Sequence, residues 1–478
     1  MTKPKTHIAG ATEHAAETDT PFQKPALLQG TALSPVTQDE LPQQSIVERA
    51  IADLKNSPWN ARTHSRKQVR QLAESLKAFG FVNPILIDKK GRIIAGHGRV
   101  EAAKLLGRTT VPTIAIEHLT EDQLRAYALA DNRLAELAGW DEKLQKIEFQ
   151  YLLQVDLGFD LTVTGFDAGD IDFIIEGGGN KPPDARANAL PSIDLERPAV
   201  TQPGDVWLLN NHRLLCGDAT KREWFEVLMA GARAQMVISD APYNVRIDGH
   251  ANTGQGAVRH REFAMASGEM SEAEFIAFLD RITKLLCWAS QDGALHYLFM
   301  DWAHQHELLT AARSHYSTQK NLCVWNKTNG GMGSMYRSKH ELVAVFKVGN
   351  APHINNIELG RNGRYRTNVW DYPGMSSLGN GRAALLAARP TSKPVELVTD
   401  AILDASTRNG IVLDCFAGSG TILIAAERVG RRAYAMEIDP HYCDSAVRRW
   451  QTYTGADARH AVSGLTFTEI AQRSEARS

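Results

Sequence analysis

One stretch limits what this 478-residue chain can become more than any other: Gly410 to Asp439, GIVLDCFAGSGTILIAAERVGRRAYAMEID. The apolar run IVLD reads as a buried parallel strand, FAGSGT as a tight glycine turn, ILIAAERVG as a helix closed by its glycine, and AYAMEID as a second strand. Two parallel strands joined by a crossover helix need a sheet covered by helices, so the C-terminal half is expected to be a doubly wound α/β domain. Gly418 and Gly420 would let a ligand approach the backbone closely. Glu437, 19 residues after Gly418, stands where a ribose diol could donate to it. A dinucleotide fingerprint is not met, because Leu423 occupies the place of its third glycine, and no P-loop lysine follows the turn.

A second strand-like run, Met236-Val-Ile-Ser-Asp-Ala-Pro-Tyr-Asn-Val245, ends in Asp240, Ala241, Pro242 and Tyr243. Carboxyl ends of strands in open α/β sheets are where ligands bind. Alone, the tetrapeptide reads first as a proline turn closing a strand.

The rest of the chain divides around these motifs. Residues 1–47, rich in Thr, Gln, Pro, Ala and Glu without apolar period, read as a disordered tail. Residues 48–137 read as a small α+β domain: an amphipathic helix from Gln68 to Phe79 capped by Gly80, the strand PILID, the strand IIAG, then Gly96-His-Gly-Arg99 opening a helix. A glycine turn leading from a strand into a helix N-terminus is an anion site, although a surface arginine on a plain turn has the same pattern. Residues 138–176 read as a helical connector and 177–204 as a linker; from Glu176 to Asp205 the chain has a glycine triplet and five prolines. The second domain is expected over 205–455, with a C-terminal tail over 456–478.

Composition removes several function classes. At 43% hydrophobic and 23% charged residues the chain is ordinary globular protein, and no apolar run approaches the ~18 residues of a membrane span. The start lacks a secretory apolar core, and Cys216, Cys287, Cys323, Cys415 and Cys443 form no zinc-ligand spacing, so a cytoplasmic protein without a structural metal is expected. The net charge of −2 conceals segregation: residues 313–393 hold 12 Lys or Arg against 3 acids. Within that segment Arg361, Arg364 and Arg366 interleave with Tyr365, Trp370 and Tyr372, a pattern suited to phosphate contacts and base stacking, though a solvated basic loop would have it too.

Together these motifs resemble the beta class of DNA amino-methyltransferases, which act on adenine N6 or cytosine N4. The loop Asp414-Cys-Phe-Ala-Gly-Ser-Gly-Thr421 is similar to that family's S-adenosylmethionine loop, and DAPY is similar to its D-P-P-Y tetrad, with Ala241 where proline is usual. VWLLNNHRLLCGDAT resembles the strand whose Asp218 would contact the cofactor adenine, and RPTSKPVEL resembles H-P-x-x-K-P-x-E-L, with Arg389 in place of His. VWNKTNGGMGSMYRSKHELVAVFKVG resembles the segment lining the target-base pocket. The resemblance implies a Rossmann-like methyltransferase domain binding S-adenosylmethionine through Asp218, Thr391, Ser392, Lys393, Asp414, Phe416, Ala417, Gly418, Ser419, Gly420, Thr421 and Glu437. It implies catalysis at Asp240, Ala241, Pro242 and Tyr243, with the target base flipped from double-stranded DNA, and DNA contacts from Arg361, Arg364, Arg366, Lys327 and Arg337. Asp at 240 favours adenine; cytosine N4 methylation and an inactive DNA-binding scaffold are the alternatives. Residues 47 to 137 resemble the ParB/sulfiredoxin-like N-terminal domain, which implies a nucleotide or DNA partner there, while His97 in the G-x-x-R turn and the absence of a Cys exclude sulfinic acid repair. A restriction-modification setting and a homodimer are compatible with both resemblances.

Overall fold

The computed structural model describes residues 44–176, 184–191, 197–245, 265–327, 330, 335–357, 365–374 and 392–475. Two sheets organise them. The first has four strands in the order β1 (Ile46–Ala50), β4 (Thr110–Ile116), β2 (Ile85–Asp88), β3 (Ile93–Ala95). Helix Arg66–Phe79 is N-capped by the Ser65 side chain and ends at Gly80, whose φ of 76° suits a residue without Cβ. Gly96, also left-handed at φ 104°, turns β3 into helix His97–Leu105.

The second sheet has ten strands: β5 (Val206–Leu209), β6 (His212–Cys216), β7 (Ala234–Ser239), β8 (Ser290–Met300), β9 (Thr318–Asn326), β10 (His340–Lys347), β11 (Val369–Asp371), β12 (Ile411–Asp414), β13 (Arg432–Glu437) and β14 (Arg459–His460). Their spatial order is β11-β9-β10-β8-β7-β12-β13-β6-β5-β14. Strands β8, β7, β12, β13 and β6 are parallel, and β12 is buried along its whole length, as a strand covered on both faces must be. Helices Val395–Ala405, Thr421–Arg428 and Pro440–Thr454 pack on one face with Trp207 and Trp450. Helices Arg222–Met229, Glu272–Ala289 and Gln305–Ala312 pack on the other with Phe225 and Phe275. The chain leaves β7 toward β8 and returns at β12 to run toward β13, so a crevice opens between the carboxyl ends of β7 and β12, the usual ligand position in such sheets.

Two of the expected boundaries are crossed, while the expected helical connector packs on the second domain. Residues 184–188, expected within the linker, carry a short helix Ala185–Asn188 with Ala187 and Asn188 buried against the second domain. Asn188 Oδ1 accepts from Val395 N at 3.1 Å, and its amide donates to the Glu396 carboxylate at 2.9 Å. The connector ends in helix Ala168–Glu176, whose Asp172 is buried among arginines of the second domain. Residues 459–475, expected as a tail, form β14 on β5 and helix Phe467–Glu475, with Phe467 buried against the Trp207 ring. Glycine and proline content marked the linker as loose; hydrogen bonds to Val395 and Glu396 hold its residues 184–188 instead. The expected tail 1–47 lies outside the described residues except 44–47, of which Ile46 and Val47 begin β1. Among the described residues no helix is long and apolar enough to cross a membrane.

Candidate active site

The carboxyl ends of three neighbouring strands each deliver a carboxylate to the crevice: Asp240 after β7, Asp414 at the end of β12, and Glu437 at the end of β13. Their surroundings separate their tasks.

Glu437 is buried and held by two backbone donors, Gly418 N to Oε2 at 2.8 Å and Asp439 N to Oε1 at 3.0 Å. Each oxygen keeps a lone pair for a hydroxyl. Beside it a cleft of about 420 Å³ is lined by Pro198, Ala199, Thr201, Gln202, Ile438, Asp439, Pro440 and His441. Asp218 follows β6, pairs with Thr220 N and Oγ1 at 2.8 and 2.7 Å, and adjoins Glu437 because Gly217 N donates to the Glu437 carbonyl.

The glycine loop is fixed from below. Gly418 and Gly420 both adopt positive φ, and a Cβ on Gly420 would come within 2.8 Å of Ala446. Buried Arg449 donates to Ser419 O and Thr421 Oγ1, both at 3.1 Å, and to Ala187 O at 2.8 Å, tying the loop to the segment expected as linker. Ser392 Oγ lies 3.1 Å from Ser419 Oγ. Asp414 accepts from Ser239 Oγ at 2.7 Å and Phe416 N at 3.0 Å; burial outweighs both donors and pushes its carboxyl up to about 7. Phe416 and Ala417 continue the loop, with Ala417 N donating to Met436 O and the Phe416 ring 6.2 Å from Phe278.

Asp240 lies among different partners. Tyr243 Oη donates to its Oδ1 at 2.5 Å, and Lys393 Nζ donates to its Oδ2 at 2.6 Å. Lys393 Nζ is also 3.0 Å from Glu341 Oε2, and the other Glu341 oxygen accepts from Lys327. Burial disfavours a charge on Lys393, but Asp240 and Glu341 outweigh it and hold the ammonium above the ordinary lysine value. Burial, then the two carboxylates, keeps the Tyr243 phenol neutral. Ala241 and Pro242, partly buried, complete the loop.

The expected cofactor residues thus gather at the ends of β6, β12 and β13, with one redistribution: the Lys393 ammonium points to Asp240, and only its carbonyl approaches the glycine loop, 3.5 Å from Thr421 Oγ1. Thr391, Arg389, Arg361 and Arg364 lie outside the described residues. Arg366 does not fit its expected place on DNA. Its guanidinium turns inward to Asp404 (3.0 Å), Tyr372 Oη (2.8 Å) and Asp400 (3.6 Å), leaving the side chain 16% exposed. Local charge counting cannot tell a buried counter-ion from a surface one. Lys327 is likewise engaged with Glu341 and lies 4.7 Å over the Trp325 ring, whereas Arg337 is exposed and donates to Gly330 O. Glu341 was not among the expected site residues. Its signal is cross-strand: the register of β9 and β10 sets it opposite Trp325, at the end of the sheet where β7 and β8 finish.

Residues 234–448 match the family described as DNA methylase, residues 36–133 the ParB N-terminal domain, and residues 143–203 the ParB-methyltransferase HTH domain. The last spans most of the stretch expected as connector and linker. The chain is 34% identical over 207 residues to the type II methyltransferase M1.MboII of Moraxella bovis, covering 37% of this chain and 79% of that protein. It is 55% identical over 78 residues to the ParB-like nuclease domain-containing protein YnaK of Escherichia coli K12, covering 16% of this chain and 90% of that protein. It spans about a third of the length of the chromosome-partitioning ParB proteins it matches. Among solved structures, the M1.HpyAVI–SAM complex aligns with 50% of this chain and 98% of its own at 16% identity and a TM-score of 0.35.

Proposed function

The chain belongs to the DNA methylase family that modifies exocyclic amines, and from that premise we propose that it methylates N6 of an adenine flipped out of double-stranded DNA at a specific site. Its cofactor is S-adenosylmethionine, which supplies an electrophilic sulfonium methyl group when bound. The residues present fit it. The Glu437 carboxylate, its oxygens anchored on backbone N–H groups, suits the ribose diol; the adjoining cleft suits the adenine; and the glycine loop under Arg449 suits the remainder.

The adenine amine is a weak nucleophile because its lone pair is conjugated with the ring. Acceptors on its hydrogens favour the pyramidal nitrogen whose lone pair can attack. Asp240 is the acceptor that carries this reading: a carboxylate at a strand end, oriented by Tyr243 and Lys393. The Ala241 carbonyl would be the second acceptor, and alanine supplies it as well as proline does. Transfer of the methyl group would leave the C–S electron pair on sulfur as a neutral thioether, and the proton lost from the amine nitrogen would pass to solvent. The Tyr243 ring would stack on the flipped base while its hydroxyl stays on Asp240.

The N-terminal domain would serve as an auxiliary DNA- or nucleotide-binding module, with the Gly96–Arg99 turn at a helix N-terminus as its anion site. Digestion of DNA from cells expressing the chain, followed by mass spectrometry of the nucleosides, tests the base assignment. N6-methyldeoxyadenosine supports it; N4-methyldeoxycytidine alone overturns it.

A further inference from the structure

Beside the Asp240 loop, four charged side chains from separate parts of the chain alternate in sign: Asp240 after β7, Lys393 before helix Val395–Ala405, Glu341 in β10, and Lys327 after β9. Their charges sum to zero. The Lys393 side chain is 7% exposed, and the rings of Phe299, Tyr243 and Trp325 lie 5.1, 5.6 and 5.9 Å from its ammonium. A cation enclosed this way is placed by its two carboxylates, because little water reaches it. Glu341, with its side chain 15% exposed, is held in turn by Lys327 on one oxygen and lies 3.2 Å from Tyr243 Oη on the other. Lys393 and Lys327 outweigh the effect of burial and keep it ionised, well below the usual carboxylate range.

This arrangement bears on Asp240 as an acceptor. With Glu341 present, the Lys393 charge is shared between two carboxylates, so Asp240 is oriented without its electron density being committed wholly to the ammonium. Without Glu341 the cluster carries +1, and Lys393 faces Asp240 alone. The acceptor then weakens where the target amine needs it.

We propose that Glu341 is a positioning residue for methyl transfer, acting through Lys393 to orient Asp240 and preserve its strength as an acceptor. The inference rests on the DNA methyltransferase reading above.

The test uses the full chain, radiolabelled S-adenosylmethionine and unmethylated duplex DNA of mixed sequence, with Glu341→Gln, Glu341→Asp, Lys327→Met and the Glu341→Gln/Lys327→Met double variant. Glu341→Gln should lower kcat about tenfold or more, with the KM for DNA and the cofactor Kd nearly unchanged; the melting temperature should fall as well, since a carboxylate leaves a buried charge cluster. Glu341→Asp should recover part of the loss. The double variant should be no slower than Glu341→Gln, because Glu341 is the member of the cluster with which Lys327 pairs. Three results would each overturn the inference: unchanged kcat in Glu341→Gln, losses that multiply in the double variant, or a kcat loss matched by an equal loss of cofactor affinity. A wild-type chain that transfers no methyl group would overturn the underlying reading and this inference with it; an active wild type beside an equally active Glu341→Gln would overturn this inference alone.

Discussion

Asp172 and Arg431, 259 residues apart in sequence, form a two-point ion pair with Nη2–Oδ2 at 2.6 Å and Nη1–Oδ1 at 3.0 Å, both side chains being almost wholly buried. Arg408 Nε lies 3.0 Å from the same carboxylate. One carboxylate therefore compensates two guanidinium groups at the join between helix Ala168–Glu176 and the methylase sheet. Five residues earlier, Asp167 accepts from Lys67 at 2.6 Å and Gln71 at 3.1 Å of the N-terminal domain. The short helix is tied to the N-terminal domain by Asp167 at its start and to the methylase domain by Asp172 at its middle.

Removing one partner of a buried pair leaves a charge without compensation, which costs about 3 to 5 kcal/mol. Asp172→Ala should lower the unfolding free energy of the methylase transition by that amount in chemical denaturation. A variant as stable as wild type would show that the pair contributes nothing to the join.

The anchors on Ala187 and Asn188 set where the catalytic half can be cut. A fragment of residues 168–478 keeps Asp172, the Ala187 acceptor for Arg449 and the Asn188 contacts to Val395 and Glu396, whereas 190–478 loses all of them. Leaving a buried charged donor unsatisfied should weaken cofactor binding about tenfold or more in the shorter fragment. Isothermal titration with S-adenosylmethionine checks this, and equal affinities would mean the anchors do not support the loop.

Arg366 should behave as a stabilising residue. Arg366→Ala removes a guanidinium from Asp404, buried in helix Val395–Ala405, and from Asp400, and should lower stability in chemical denaturation. The salt dependence of DNA binding should stay as in wild type. A stable variant whose log–log salt slope falls by about 0.9 would instead make Arg366 a phosphate contact.

Arg366 and Glu341 also mark where the sequence stops being readable. The βαβ unit from Ile411 to Glu437 is local: periodicity, a glycine turn and a carboxylate at fixed spacing reveal it, and the structure forms it with Gly418 and Gly420 left-handed. Asp240 is legible because a strand ends there. Glu341 reaches Asp240 only through the register of β10 on β8 and β9, which no local pattern encodes. Arg366 has the same composition signal as a surface arginine, and only the packing of helix Val395–Ala405 turns it inward. The segment 184–188 lies in a proline- and glycine-rich stretch, yet the Asp184 backbone N–H and the Asn188 side chain dock it on Glu396.

Burial raises the Asp414 carboxyl from its ordinary 3.8 to about 7, so the folded chain keeps a proton that the unfolded chain releases between those values. The stability this contributes is fully present below pH about 4 and is lost as the pH rises toward about 7. Asp414→Asn cannot titrate, so its unfolding free energy should fall less steeply than that of wild type across that window in denaturant titrations. Parallel slopes would mean Asp414 is ionised in the folded chain at neutral pH.

The central claim is that Asp240 is the acceptor for the amine of a DNA adenine. It is tested most directly by transfer of a labelled methyl group from S-adenosylmethionine to unmethylated duplex DNA, comparing wild type with Asp240→Ala under conditions where both are saturated with cofactor. Loss of one preorganised acceptor should reduce turnover about 100-fold or more, with cofactor affinity little changed and the label recovered as N6-methyladenine in wild type. Equal turnover in the two proteins, or label absent from adenine in wild type, would contradict the account.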